Sequence, residues 1–156
     1  MSDEAFMREA LALATENVRT GGGGPFAALV VRGGKIVARG TNRVTTKNDP
    51  TAHAEVEAIR AACAALDDFQ LSGCTLYTTC EPCPMCLGAI YWARPDRVVY
   101  AATHEDAAAA GFDDAFIYDE LTRSPEARRI PMTPLLREEG RRPFEAWAQA
   151  EERTDY

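Results

Sequence analysis

Two short strings hold residue types that together do metal chemistry: His53-Ala54-Glu55 and Pro82-Cys83-Pro84-Met85-Cys86. A neutral imidazole and two thiolates are borderline-soft ligands that suit Zn²⁺. Cys83 and Cys86, three positions apart, share one face of a helical turn and can grip one ion. His53, Cys83 and Cys86 make three ligands. A structural zinc site closes its tetrahedron with four protein ligands, whereas three leave a position for water or substrate, so the count points to catalysis. Cys80 is the nearby thiol that would close the site as Cys₃His, but it precedes Glu81-Pro82 and reads as the end of a strand. Glu55 sits beside the ion without being needed as a ligand. That is the position of a general base that moves protons between water and substrate.

These residues must be presented by elements that bring position 53 next to positions 83 and 86. Met7, Leu11, Ala14 and Val18 fall at helical spacing between Asp3 and Arg19, and the glycines from Gly21 to Gly24 stop that helix. Phe26–Val31 and Lys35–Arg39 read as strands of a hairpin turning through Gly33-Gly34. After a polar loop, Asp49-Pro50-Thr51 offers a helix start near Thr51, with alanine-rich residues running to Leu66. Residues two apart do not share a helical face, so His53 and Glu55 converge only from that helix's opening turn. Thr75–Thr79, Pro84–Ala93 and Arg97–Ala102 form a strand, helix, strand unit of the parallel type. Helical stretches around Asp113–Arg123 and Phe144–Arg153 follow, separated by prolines. Both ligand strings lie at helix beginnings, where unpaired N–H groups and the positive dipole end favour thiolates.

The 156 residues fit one domain spanning 1–156, and 46% hydrophobic residues are enough for a real core. Seventeen basic against twenty-four acidic residues leave a net charge of −7, which disfavours nucleic acid as a partner. No apolar run nears the roughly 18 residues of a membrane span, and the first twenty residues are acidic. A soluble, cytoplasmic protein with no membrane partner is expected. The five cysteines, at 63, 74, 80, 83 and 86, are odd in number and crowded, which suits reduced thiols or metal ligands. A CxxC pair alone also fits a thioredoxin-like redox site, but that reading leaves His53 and Glu55 without a role.

The H-x-E and P-C-x-x-C strings match the signature of zinc nucleobase deaminases. The chain resembles the cytidine deaminase superfamily, and within it the small bacterial guanine deaminases. The resemblance is carried by Gly23-Gly24-Pro25-Phe26, Asn48 through Glu55, Cys80 through Pro95, Gly111-Phe112-Asp113-Asp114 and Tyr156. It implies a cytidine deaminase-like three-layer α/β/α sandwich around a central five-stranded mixed sheet. It also implies one Zn²⁺ per subunit and a homodimer in which the C-terminal segment is swapped, so that Tyr156 closes the partner's site. The base pocket it implies contains Phe26, Asn42, Ala54 and Trp92, with Asp114 assisting Glu55 in proton transfer. The activity implied is hydrolytic deamination of guanine, a small-molecule nucleobase, to xanthine and ammonia.

Other readings accompany these residues. Asn42 could be a turn residue after the hairpin, Phe26 and Trp92 could be core aromatics, and Asp113 or Asp114 could cap the helix that follows. His104 reads as a helix-start or surface residue. The same metal grammar serves deaminases of cytosine and of tRNA adenosine, and a zinc-binding interaction module without catalysis is the alternative outside enzymes. The stretch Thr122 to Arg142 carries no motif.

Overall fold

The computed structural model describes residues 1–156. It forms two compact units, Met1–Ala115 and Phe116–Tyr156.

In the first unit, helix α1 spans Asp3–Arg19. The Ser2 hydroxyl caps it by accepting the Ala5 N–H at 3.2 Å, and Asp3 and Glu4 complement the dipole in its first turn. Strands β1 (Ala27–Arg32) and β2 (Lys35–Thr41) form the expected hairpin. A short helix, α2 (Val44–Lys47), lies in what the sequence presents only as polar loop, and α3 covers Ala54–Leu66. Strand β3 (Cys74–Cys80), helix α4 (Pro84–Ala93) and strand β4 (Arg97–Ala102) complete the strand, helix, strand unit, and β3 pairs parallel with β4 as expected. Helix α5 (His104–Ala109) follows.

The sheet order is β2-β1-β3-β4, with β1 antiparallel to both neighbours. It is the expected mixed sheet, but it has four strands and not five. A fifth strand would have to come from the later part of the chain. There Pro125, Pro131 and Pro134 lack N–H donors for a ladder, and residues 125–127 and 139–141 turn as 3₁₀ helix.

Alternation along β1 assigns the two faces. Leu29 and Val31 pack with Tyr77 against Phe6 and Ala10 of α1, while Ala28 and Val30 pack with Leu76 against Ala54, Ala58 and Ala62 of α3 and Ile90 of α4. Leu29 and Leu76 are fully buried, each worth roughly 1.5–3 kcal/mol relative to exposure. The small alanine face of α3 lets its first turn approach β2 closely. At Gly40 a Cβ would collide with the Ala54 carbonyl and the Ala58 nitrogen, so glycine is required there. This close approach sets the depth at which α3 delivers His53 and Glu55.

The second unit contains α6, which begins at the boundary (Ala115–Thr122), and α7 (Arg142–Gln149). Within it Arg129 lies over the Phe116 ring at 4.7 Å, its N–H donates to Glu120 Oε2 at 2.7 Å, and Trp147 meets Tyr156 edge-on at 6.4 Å.

Candidate metal centre and active site

Both ligand strings lie at helix N-termini. His53 is the N-cap of α3, with extended backbone and no side-chain capping bond, so its imidazole is not used by the helix. The helix starts at Ala54, later than the sequence suggests. Asp49 Oδ1 accepts the Thr51 N–H at 2.8 Å and the Thr51 hydroxyl at 2.7 Å, a local turn that keeps residues 49–51 out of the helix. His53 and Glu55 therefore both project from the opening turn, as their convergence requires. Cys83 is the N-cap of α4 and accepts the Cys86 N–H at 3.4 Å, with Pro84 opening the helix. The pairing of β3 with β1 sets the end of β3, and thus α4, beside α3.

His53 Nδ1 lies 3.5 Å from Cys83 Sγ and 3.5 Å from Cys86 Sγ, and the three ligand atoms all fall within 4.8 Å of one another. A tetrahedral ion with Zn–S of about 2.3 Å and Zn–N of about 2.05 Å requires an S···N separation of about 3.6 Å. The residues present fit zinc in number, softness and spacing. Cys80 is not among them: it is buried, and its thiol contacts the Thr103 carbonyl at 3.6 Å.

A cavity of about 280 Å³ opens beside the three ligands. Phe26, Asn42, Ala54, Glu55 and Asp114 all line it, together with His53 and Cys83. Asp113 also borders the cavity, but its Oδ1 accepts the Ala115 N–H at 3.0 Å and so caps α6. Trp92 lies near the end of α4, exposed, and is not part of this wall; Tyr156 belongs to the second unit. Phe112, Glu81 and His104 also line the wall, which the sequence reading does not place there. Phe112 stands edge-on to Phe26 at 5.0 Å, and its signal was its place inside the Gly111-to-Asp114 string. Glu81 Oε2 accepts the His104 N–H at 3.0 Å and lies 2.6 Å from His104 Nδ1, joining the loop after β3 to the start of α5. Only the spatial pairing reveals that role.

Residues 1–102 match the model of the cytidine and deoxycytidylate deaminase zinc-binding region, and this stretch contains all three ligands and Glu55. The chain belongs to the cytidine and deoxycytidylate deaminase family. It is 56% identical to the guanine deaminase of Bacillus subtilis, over all of both chains. The X-ray structure of a Bacillus subtilis guanine deaminase superimposes with a TM-score of 0.98, at 56% identity, covering 100% of this chain and 99% of the other. The tRNA-specific adenosine deaminase of Bacillus subtilis is 43% identical over 100 residues, which is 64% of this chain and 62% of that protein.

Zn²⁺ is thus the metal of this deaminase site. The Cys83 thiol is pulled down to about 4, first by its contact with the Cys86 thiol and further by His53 and the Cys86 N–H, against the cost of burial. The same contact pushes the Cys86 thiol up, so without metal the pair shares one thiolate. Burial pushes the Cys80 thiol up to about 11, with Glu55 and Asp114 adding to it. The His53 imidazole is raised chiefly by the Cys83 thiolate. Burial is also the first cause raising Glu55, which is only 6% exposed and has the Thr78 hydroxyl 3.1 Å from its Oε1. Asp114 is raised by partial burial and then by Cys83. Two carboxyl groups thus hold protons above their ordinary range beside the three ligand side chains.

Proposed function

We propose that the protein catalyses hydrolytic deamination of guanine to xanthine and ammonia. The observation that carries this reading is the extent of the likeness. Similarity to guanine deaminase runs through the second unit to Tyr156, whereas similarity to the tRNA adenosine deaminase covers 64% of the chain. A cavity of about 280 Å³ walled by crossed aromatics suits a flat base, and a net charge of −7 gives no attraction for a polyanion.

His53, Cys83 and Cys86 hold the zinc, whose Lewis acidity lowers the pKa of water to about 7 and makes hydroxide available at neutral pH. Glu55 takes a proton from the attacking water and passes it to a ring nitrogen beside C2 while the C2–O bond forms. Glu55 or Asp114 then takes the remaining proton of the added hydroxyl and gives it to the exocyclic nitrogen, so that C2=O forms as the C2–N bond breaks and ammonia leaves. Phe26 and Phe112 flank the ring, Asn42 hydrogen-bonds it, and the Ala54 position forms the floor beside Glu55.

The active form is a homodimer in the cytoplasm in which the C-terminal segment is exchanged and Tyr156 closes the partner's site. Exposed apolar side chains favour an assembly: Ile130, Leu135 and Phe144 in the second unit are 82%, 85% and 75% exposed. Five free thiols suit a reducing compartment.

Ammonia release from guanine, cytosine, adenine and an anticodon stem-loop, compared under one set of conditions, tests the reading. Guanine should be turned over fastest. Failure on guanine with turnover of any of the other three rejects it.

A further inference from the structure

Asn17 is the last member of the buried face of α1, 6% exposed, and is not part of the cavity wall. Its Nδ2 donates to the Gly24 carbonyl at 2.9 Å and to the Asn42 carbonyl at 3.0 Å, so both amide hydrogens tie separate segments together. The glycine segment is fitted against this pair. Gly22 N–H donates to the Asn17 carbonyl at 2.8 Å, and a Cβ at Gly23 would collide with the Asn42 carbonyl.

That fixed backbone determines how Asn42 presents its amide. Asn42 Oδ1 accepts the Gly24 N–H at 3.3 Å and the Val44 N–H at 3.2 Å. Two N–H donors must face oxygen, so the amide cannot be flipped. The Asn42 NH₂ group has no protein partner, and Asn42 lines the cavity.

We infer that Asn17 is a positioning residue for substrate recognition: by clamping Gly24 to Asn42 it holds Asn42 as a hydrogen-bond donor toward the cavity, selecting a heterocycle with an acceptor atom there. A carbonyl oxygen or an unprotonated ring nitrogen is such an acceptor. This rests on the proposed contact between Asn42 and the base.

The test uses Asn17→Asp, which keeps the shape but replaces the donating NH₂ with an acceptor oxygen facing both carbonyls, and the milder Asn17→Ala. Zinc-quantified full-length protein is assayed on guanine, and exchange of the Gly24 and Val44 amide protons is followed in ¹⁵N-labelled protein. Both variants should raise KM for guanine roughly tenfold or more, as expected for a misplaced hydrogen bond. Their kcat should stay within about twofold of wild type, and both amides should exchange faster. An unchanged KM in Asn17→Ala, a loss confined to kcat, or unchanged amide exchange overturns the inference. If the wild-type protein does not deaminate guanine, the substrate reading falls. The amide exchange then decides the role of Asn17 by itself, unchanged rates overturning it.

Discussion

Glu55→Gln is the substitution whose effects are most fully determined by the structure. Glutamine matches the shape of a side chain that is only 6% exposed, and its amide can still meet the Thr78 hydroxyl now 3.1 Å from Oε1. The amide cannot accept and return a proton. The fold and the zinc should therefore persist while kcat falls by about 10²–10⁴-fold, the usual contribution of a positioned acid–base group, or about 3–5 kcal/mol in barrier. The same burial has a consequence for stability. Because the folded-state pKa of Glu55 lies above its ordinary value of 4.5, the folded protein holds the proton more tightly than the unfolded chain. Stability is then fully present below 4.5 and declines as pH rises through the folded pKa. In chelator-treated protein, Glu55→Gln should remove this decline and be at least as stable as wild type at neutral pH. The assay pairs steady-state xanthine formation with zinc analysis and thermal unfolding across pH. Near-normal turnover in zinc-loaded Glu55→Gln, or a large loss of melting temperature at neutral pH, would refute the reasoning.

Cys80→Ser should bind one zinc per chain as wild type does, whereas Cys86→Ser should bind it 10-fold more weakly or worse; equal zinc loss in both would place Cys80 in the ligand set. Gly40→Ala forces β2 and the first turn of α3 apart and should cost roughly 1–3 kcal/mol in denaturant unfolding, so an unchanged midpoint would refute the close approach. Asp3 accepts hydrogen bonds from Arg97 at 2.6 Å and Tyr77 at 2.5 Å, and its carboxyl is held below 3.8 chiefly by Arg97. The stability it adds is present above 3.8 and lost as pH falls through the lowered folded value, so Asp3→Asn should flatten the acid limb of the melting curve. An identical acid limb in the variant would contradict that.

The ligand residues were legible in the sequence because their positions are dictated locally. A capping position and a three-residue repeat put Cys83 and Cys86 on one helix start, and the same logic required His53 and Glu55 to share an opening turn. Helix α1 and the hairpin were legible for a similar reason, since apolar spacing and glycine stops are short-range. The start of α3 was not, because the Asp49 side chain turns back on Thr51 before the helix can begin. Helix α5 has six residues, too few to display a period, although Thr103 and Asp106 form a capping box that marks its start. The fifth strand came from family likeness and not from any alternation in this chain. Phe112 and the Glu81–His104 pair join the cavity through contacts between segments more than twenty residues apart, or through a loop, and neither leaves a periodic trace.

The central claim is that guanine is deaminated at a zinc centre formed by His53, Cys83 and Cys86. Metal-free protein should be titrated with zinc while the ultraviolet change from guanine to xanthine is recorded. Turnover should rise in proportion to bound zinc and saturate at one ion per chain. Conversion of guanine by the metal-free protein, or none at full zinc occupancy, would contradict the account.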